Sequence, residues 1–156
     1  MIFCNTTPFI SLAGIHQLEL LPQVLGEIHV VSEVIDECAV GGVISVPDLR
    51  TLPWVREVTS LPVIHTGILL ELDKGEKHTI DMAKRMGAEW VIIDEKLGRN
   101  VAEYLGMRVT GTLGILLKAK QQGWIVSFRD AVNAMLEMGI RYHPALIEKL
   151  ARTAGE

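Results

Sequence analysis

Four oxygen-bearing side chains occupy positions from which they could act together: Asn5, Glu37, Glu76 and Asp94. Asn5 follows the apolar run Met1-Ile2-Phe3-Cys4, and Asp94 follows Trp90-Val91-Ile92-Ile93. Glu37 lies on a helical stretch after Ile28-His29-Val30-Val31, and Glu76 opens another helix. Carboxylate and amide oxygens are the ligands that hard cations prefer, so the set suits one or two Mg²⁺ or Mn²⁺ ions. A cation held there would activate water and neutralise charge on a phosphodiester. Each acid also has a plainer reading. Glu76 complements its helix dipole, Asp94 caps the following helix, and Glu33 with Glu37, four apart, forms a solvated acidic face.

The elements that must position these groups alternate strand and helix. Residues 75–87 predict a helix with Ile80, Ala83 and Met86 on one face and a stop at Gly87. Trp90 to Ile93 is uninterrupted and apolar, as a central strand buried on both faces requires, and the acid beyond its end lies where open α/β sheets bind ligands. A second helix carries Leu97, Val101, Ala102 and Leu105 up to Gly106; Met107 to Thr110 is the next strand, and Leu113 to Lys120 a buried helix. Nearer the start, Thr6-Thr7-Pro8 signals a helix carrying Phe9, Ile10, Leu12 and Ala13, and Leu18 to Leu25 forms a short helix around Pro22. Ser32 is placed to cap a helix over Glu33 to Cys38. Residues 41–67 are broken by glycines and prolines, with a short strand at Trp54 to Val58, and keep Val43, Ile44, Val46, Leu49, Trp54 and Leu61 for packing. Ser127 caps a helix through Met138, and Pro144 opens a last one to Thr153. The whole predicts a single α/β domain over residues 1–156 with a central parallel sheet.

With 156 residues, 49% hydrophobic and 22% charged, the chain can bury a core and is too apolar for disorder. No apolar run approaches the roughly 20 residues of a membrane helix, and the N-terminus lacks a secretion-signal pattern; the expectation is no membrane association and a cytoplasmic location. Cys4 and Cys38 are too few for a disulfide framework and lack zinc-motif spacing, so they are expected as buried thiols. The net charge of −4 is unevenly spread. Residues 1–73 carry most of the negative excess, whereas residues 74–156 offer Lys84, Arg85, Lys96, Arg99, Arg108, Lys118 and Lys120. A polyanion bridging a metal site and this basic half is one reading; a solvated surface is the other.

The strings Asn5-Thr6-Thr7-Pro8-Phe9-Ile10, Val34-Ile35-Asp36-Glu37, Gly75-Glu76-Lys77-His78-Thr79-Ile80, Ile92-Ile93-Asp94-Glu95-Lys96-Leu97-Gly98-Arg99 and Val109-Thr110-Gly111-Thr112-Leu113-Gly114 together resemble PIN-domain proteins. The resemblance is greatest to a bacterial and archaeal branch related to the ribonuclease toxins of toxin–antitoxin pairs, and it runs from Met1 to about Gly123. It implies a three-layer α/β/α fold and cleavage of single-stranded RNA by a metal bound among acids. Carried over, it implies catalytic and metal-binding roles for Asn5, Glu37, Glu76 and Asp94, with Glu95 a further ligand. Thr6, Thr7 and Thr112 become supports or substrate contacts, and Lys96 and Arg99 position the RNA backbone. Asn5 departs from the pattern, which has aspartate there. An amide oxygen still coordinates Mg²⁺ but brings no charge, so three carboxylates stand where the family offers four and metal affinity should fall. The alternative to a nuclease is a non-catalytic module that binds RNA or a protein partner.

His78 is two residues from Glu76, roughly 200° around a helix, and is read as exposed rather than as a ligand. His16, His29, His65 and His143 show no ligand spacing and are read as surface or satisfied half-buried histidines. The Gly111-Thr112 turn has the geometry to hold an anion but lacks the Walker lysine; a nucleotide-binding regulator is the third reading. The family resemblance also implies a homodimer and an antitoxin protein as partners. Val132, Met135, Leu136, Leu146 and Leu150 either form that dimer face or close the chain's own core.

Overall fold

Short, largely apolar runs become the three central strands here because helices cover both sides of them, while the two edge strands carry exposed charged residues. The computed structural model describes residues 1–63 and 66–156; at Thr66 only the backbone is described, and His65 lies outside the described residues. In chain order the elements are β1 (Ile2–Cys4), α1 (Thr6–Gly14), α2 (Leu20–Leu25), β2 (Ile28–Val31), α3 (Ser32–Val40), a 3-10 turn (Leu49–Thr51), β3 (Val55–Val58), α4 (Thr66–Leu69), α5 (Lys74–Arg85), β4 (Trp90–Ile92), α6 (Lys96–Tyr104), β5 (Arg108–Thr110), α7 (Thr112–Gln121), α8 (Phe128–Glu137) and α9 (Pro144–Thr153).

The five strands pair in parallel in the order β3-β2-β1-β4-β5. The chain leaves β1 toward β2 on one side and returns to β4 on the other, so the point where strand order reverses lies between β1 and β4. Open α/β sheets place their ligand crevices at this reversal, beyond the carboxyl ends of the strands. Cys4 is level with Ile92, and the Asn5 amide extends the ladder by donating to the Ile92 carbonyl at 3.0 Å. Asn5 and the segment after Ile92 are therefore neighbours at one end of the sheet.

Helix α5 packs against β1, β2 and β4 with α3 and α6 beside it, while α7 packs with α2, α8 and α9; the arrangement is α/β/α. Phe3, Cys4, Val30, Val31, Val91, Ile92 and Ile93 are all fully buried, as strands covered on both faces must be. Helix α7 buries Leu113, Ile115, Leu116 and Ala119 but leaves Lys118 exposed. Cys4 and Cys38 are buried free thiols, and burial pushes the Cys38 thiol up to about 12. Val132 and Met135 lie wholly inside the chain's own core, Leu136 and Leu150 are half-buried, and Leu146 is exposed.

Several sequence expectations are corrected. Ser32 is the first residue of α3 rather than its cap; its hydroxyl donates to Glu57 at 2.8 Å on β3. Helix α5 begins at Lys74 because Asp73, not recognised from the sequence, accepts the Glu76 amide at 2.8 Å. It ends before Gly87, whose φ of +67° suits only glycine there. Val43 and Leu61 were expected to pack but are exposed, since the core is already closed by Leu49 and by Phe9 stacked 6.5 Å from Trp54. His78 is half-buried, not exposed, and its Nδ1 has no partner; the Nδ1 of half-buried His29 is likewise unsatisfied. His143 has a use the sequence did not reveal, as its Nδ1 accepts the Ala145 amide at 3.1 Å and caps α9.

Candidate active site

Two groups of side chains meet where β1 and β4 end. The first is built on the turn into α1. Thr6 donates its hydroxyl to Glu37 in a short hydrogen bond, and Thr7 donates to Glu95 at 2.7 Å. Successive threonines thus hold carboxylates that arrive from α3 and from the start of α6. Glu37 also accepts the Gly75 amide at 3.0 Å. A Cβ on Gly75 would lie 2.5 Å from Glu37 Oε2, so this carboxylate reaches the helix only because no side chain intervenes. Gly98 on α6 gives comparable room to Glu76, with a hypothetical Cβ 3.3 Å from its carboxyl carbon.

Glu76 is 4% exposed, and its carboxyl is pushed up to about 8. Burial is the largest cause, followed by a hydrogen bond to Glu95 and the negative charges of Asp73, Glu95 and Glu37. Near neutral pH this favours the protonated form of Glu76. Its other oxygen, Oε1, is buried without a hydrogen-bond partner, and so is Oδ1 of Asn5, a residue only 2% exposed. Asn5 is the N-cap of α1 by position, yet its side chain makes no cap bond.

The second group surrounds Asp94. This residue does not cap α6, the plainer role open to it in the sequence, because Glu95 takes that position. Instead it caps α7 across the sheet: the Thr112 amide donates to Oδ1 and the Thr112 hydroxyl to Oδ2, both at 2.7 Å. Burial raises the Asp94 carboxyl and these bonds pull it partly back down. The Tyr142 hydroxyl stands 3.4 Å from both Asp94 Oδ2 and Ser11 Oγ, and burial together with Asp94 pushes that phenol up to about 12. Arg99 donates to the Ile93 carbonyl at 3.1 Å, and Lys96 is exposed. Of the residues expected to touch substrate, Thr6, Thr7 and Thr112 hold carboxylates in this structure, while Lys96 and Arg99 lie beside the site. Tyr142, Ser11 and Gly75 were not singled out from the sequence. Gly75 alone carried a signal, a glycine directly preceding a candidate acid at a helix start.

The donors fit a hard divalent cation in type: buried amide and carboxyl oxygens, two of them without partners, with further carboxylates adjacent. Among the described residues, however, no three acids, histidines or cysteines stand close enough together to hold one cation. The carboxylates are instead tied to threonines, to backbone amides and to one another.

A parallel sheet with acids near its strand-order reversal defines an α/β fold with a ligand crevice at that end. The family model for DUF3368, a PIN domain, matches residues 1–156, and the chain belongs to the PIN-domain family. Comparisons with curated proteins and with solved structures gave no match. Members of the family typically use divalent metals, and the fold supports a hydrolase in general. No helix among the described residues is long and apolar enough to cross a membrane.

Proposed function

We propose that this chain is a metal-dependent endoribonuclease acting on single-stranded RNA, with Asn5, Glu37, Glu76 and Asp94 as its working residues and Glu95 as an accessory ligand. One observation carries the reading: at the end of the sheet where Thr6 and Thr7 hold Glu37 and Glu95, Asn5 Oδ1 and Glu76 Oε1 are each buried without a hydrogen-bond partner. Buried oxygens left unpaired cost free energy, and a bound water or cation would remove the penalty. When bound, a Mg²⁺ or Mn²⁺ ion would supply an activated water and charge neutralisation at the phosphate.

The chain's own residues supply the rest. Thr6 and Thr7 aim Glu37 and Glu95, Thr112 fixes Asp94, and the protonated form of Glu76 is favoured near neutral pH. Lys96 and Arg99, at the start of α6, are placed to position the RNA backbone. The toxin reading adds an antitoxin protein and a second copy of the chain as proposed partners. A second reading, a non-catalytic module that binds RNA or a protein partner, is favoured by the neutral Asn5 and by the hydrogen bonds that already hold Glu37, Glu95 and Asp94.

Cleavage of mixed-sequence single-stranded RNA with Mn²⁺, with Mg²⁺ and with chelator separates the two. The nuclease reading expects cutting that needs metal and disappears in Asp94→Asn and Glu76→Gln. No cutting by protein that is folded by circular dichroism, or cutting indifferent to both substitutions, would overturn it in favour of the binding module.

A further inference from the structure

A cavity of about 270 Å³ opens beside Asp94, between the end of β5, the start of α7 and the C-terminal helix α9. Asp94, Arg99 and Tyr142 line it, the Tyr142 hydroxyl 3.4 Å from Asp94, with an apolar lining from Leu113, Leu146 and Leu150. Its polar end is kept open by Gly111, where a Cβ would stand 2.7 Å from Asp94 Oδ1 and 2.9 Å from Arg99 Nη1. Tyr142 is half-buried and Leu146 is 44% exposed, so the cavity has an apolar lip reaching solvent. Arg99 makes one hydrogen bond, to the Ile93 carbonyl, and no ion pair among the described residues. A guanidinium carries five N–H donors, so most of its capacity is unspent.

We propose that this cavity is a nucleobase subsite, which takes one unpaired base of the RNA next to the phosphate at the acidic site. The inference rests on the RNA reading above and extends it to the substrate's conformation. Drug-sized ligands fill pockets of roughly 300–1,000 Å³, so a cavity just below that range suits one planar base. An aromatic side chain in an apolar lining is the chemistry of base stacking, and a guanidinium that faces Asp94 without a salt bridge among the described residues keeps N–H donors for the adjoining phosphate. A base enters such a pocket only when splayed out of a strand, so the subsite selects single-stranded over duplex RNA. Three of the six lining side chains named above come from α9 and the loop before it, which makes the C-terminal segment part of the substrate site.

The test is binding of a short fluorescent single-stranded RNA, measured by anisotropy in chelator so that no cleavage is needed. Tyr142→Leu is expected to weaken binding by about 5-fold or more, the lower end of what loss of one stacked base costs, while Tyr142→Phe, which keeps the ring, stays within about 2-fold. An abasic nucleotide moved along the RNA should weaken wild-type binding at one position and leave Tyr142→Leu indifferent. Leu146→Glu, at an exposed position that does not threaten folding, should weaken binding as well. Binding unaffected by Tyr142→Leu or by Leu146→Glu overturns the subsite. Equal losses in the Phe and Leu variants also overturn it, assigning the effect to the hydroxyl near Asp94. RNA bound with the expected pattern but never cut with Mn²⁺ or Mg²⁺ would overturn the nuclease reading alone. RNA cut, with binding indifferent to ring and abasic changes, would overturn the subsite alone.

Discussion

The Gly75 amide donates to Glu37 Oε1 at 3.0 Å, and the space a Gly75 side chain would need is taken by the same carboxylate. A glycine at the first turn of α5 and an acid on α3 therefore define one another's positions. Gly75→Ala would push aside the flexible end of a side chain rather than backbone, and alanine favours the helix. Its expected stability change is small, within about 1 kcal/mol. RNA cleavage should nonetheless fall by about tenfold or more, because displacing a catalytic group by about 1 Å can cost far more than that. Thermal melting and a cleavage time course on one preparation would check both halves; intact activity would detach Glu37 from the chemistry.

Glu76 gives a pH signature with a definite sign. Its folded-state carboxyl titrates near 8, above the ordinary value of 4.5, so the folded chain holds the proton more tightly than the unfolded chain. The associated stability is complete below about pH 4.5 and is lost as pH rises toward 8. His29, lowered chiefly by burial, acts oppositely below 6.5, which leaves pH 6.5–8 as the clearest window. In metal-free protein the melting temperature should fall across that window, and Glu76→Gln should flatten the fall. Parallel curves for the two proteins would remove Glu76 as its source.

Asn5→Asp restores the charge that the family pattern has at this position. It buries a carboxylate where Asn5 Oδ1 has no hydrogen-bond partner, so metal-free protein should melt lower than wild type. Mn²⁺ should then raise the melting temperature more than it does in wild type, by mass action on the folded state, and metal-dependent cleavage should increase. A differential scanning fluorimetry series in Mn²⁺, run beside the RNA assay, reads both. Equal metal shifts in the two proteins would count against a cation at Asn5.

Thr112→Val removes one of three hydrogen bonds that hold Asp94, leaving those from the Thr112 amide and the Tyr142 hydroxyl, while keeping the side-chain volume. A bond to a charged acceptor is worth about 1.5–3 kcal/mol, so a loss of that order in urea unfolding is expected, together with weaker cleavage. Thr112→Ser, which keeps the hydroxyl, should recover most of the activity. If serine rescues nothing, the threonine acts through packing rather than through Asp94.

The alternation of apolar runs with helical periods was enough to read the parallel sheet, and hence to put Asn5 and Asp94 at the same end of it. That followed because a parallel strand's end is where its run stops, and both residues directly follow such a run. Glu37 and Glu76 were legible as acids on the neighbouring helices. Their partners were not: that Thr6 and Thr7 would each take a different carboxylate depends on where α3 and α6 pass the start of α1. Tyr142 carried no signal, since it belongs to the loop before α9 and reaches Asp94 only through the docking of that helix on α7. His78 was misjudged because α5, packed between α3 and α6 and lying on the sheet, buries far more than the single stripe its period marks.

The strand order also sets when the chemistry can begin. Asn5 and Glu37 leave the ribosome early, yet β1 gains its second neighbour only when β4 has been made, and Asp94 is anchored only after Thr112 has followed. At roughly 5–20 residues per second this interval lasts several seconds. Throughout it the nascent chain carries half of an acidic site and nothing to complete it, so the proposed activity could begin only once most of the chain has been synthesised.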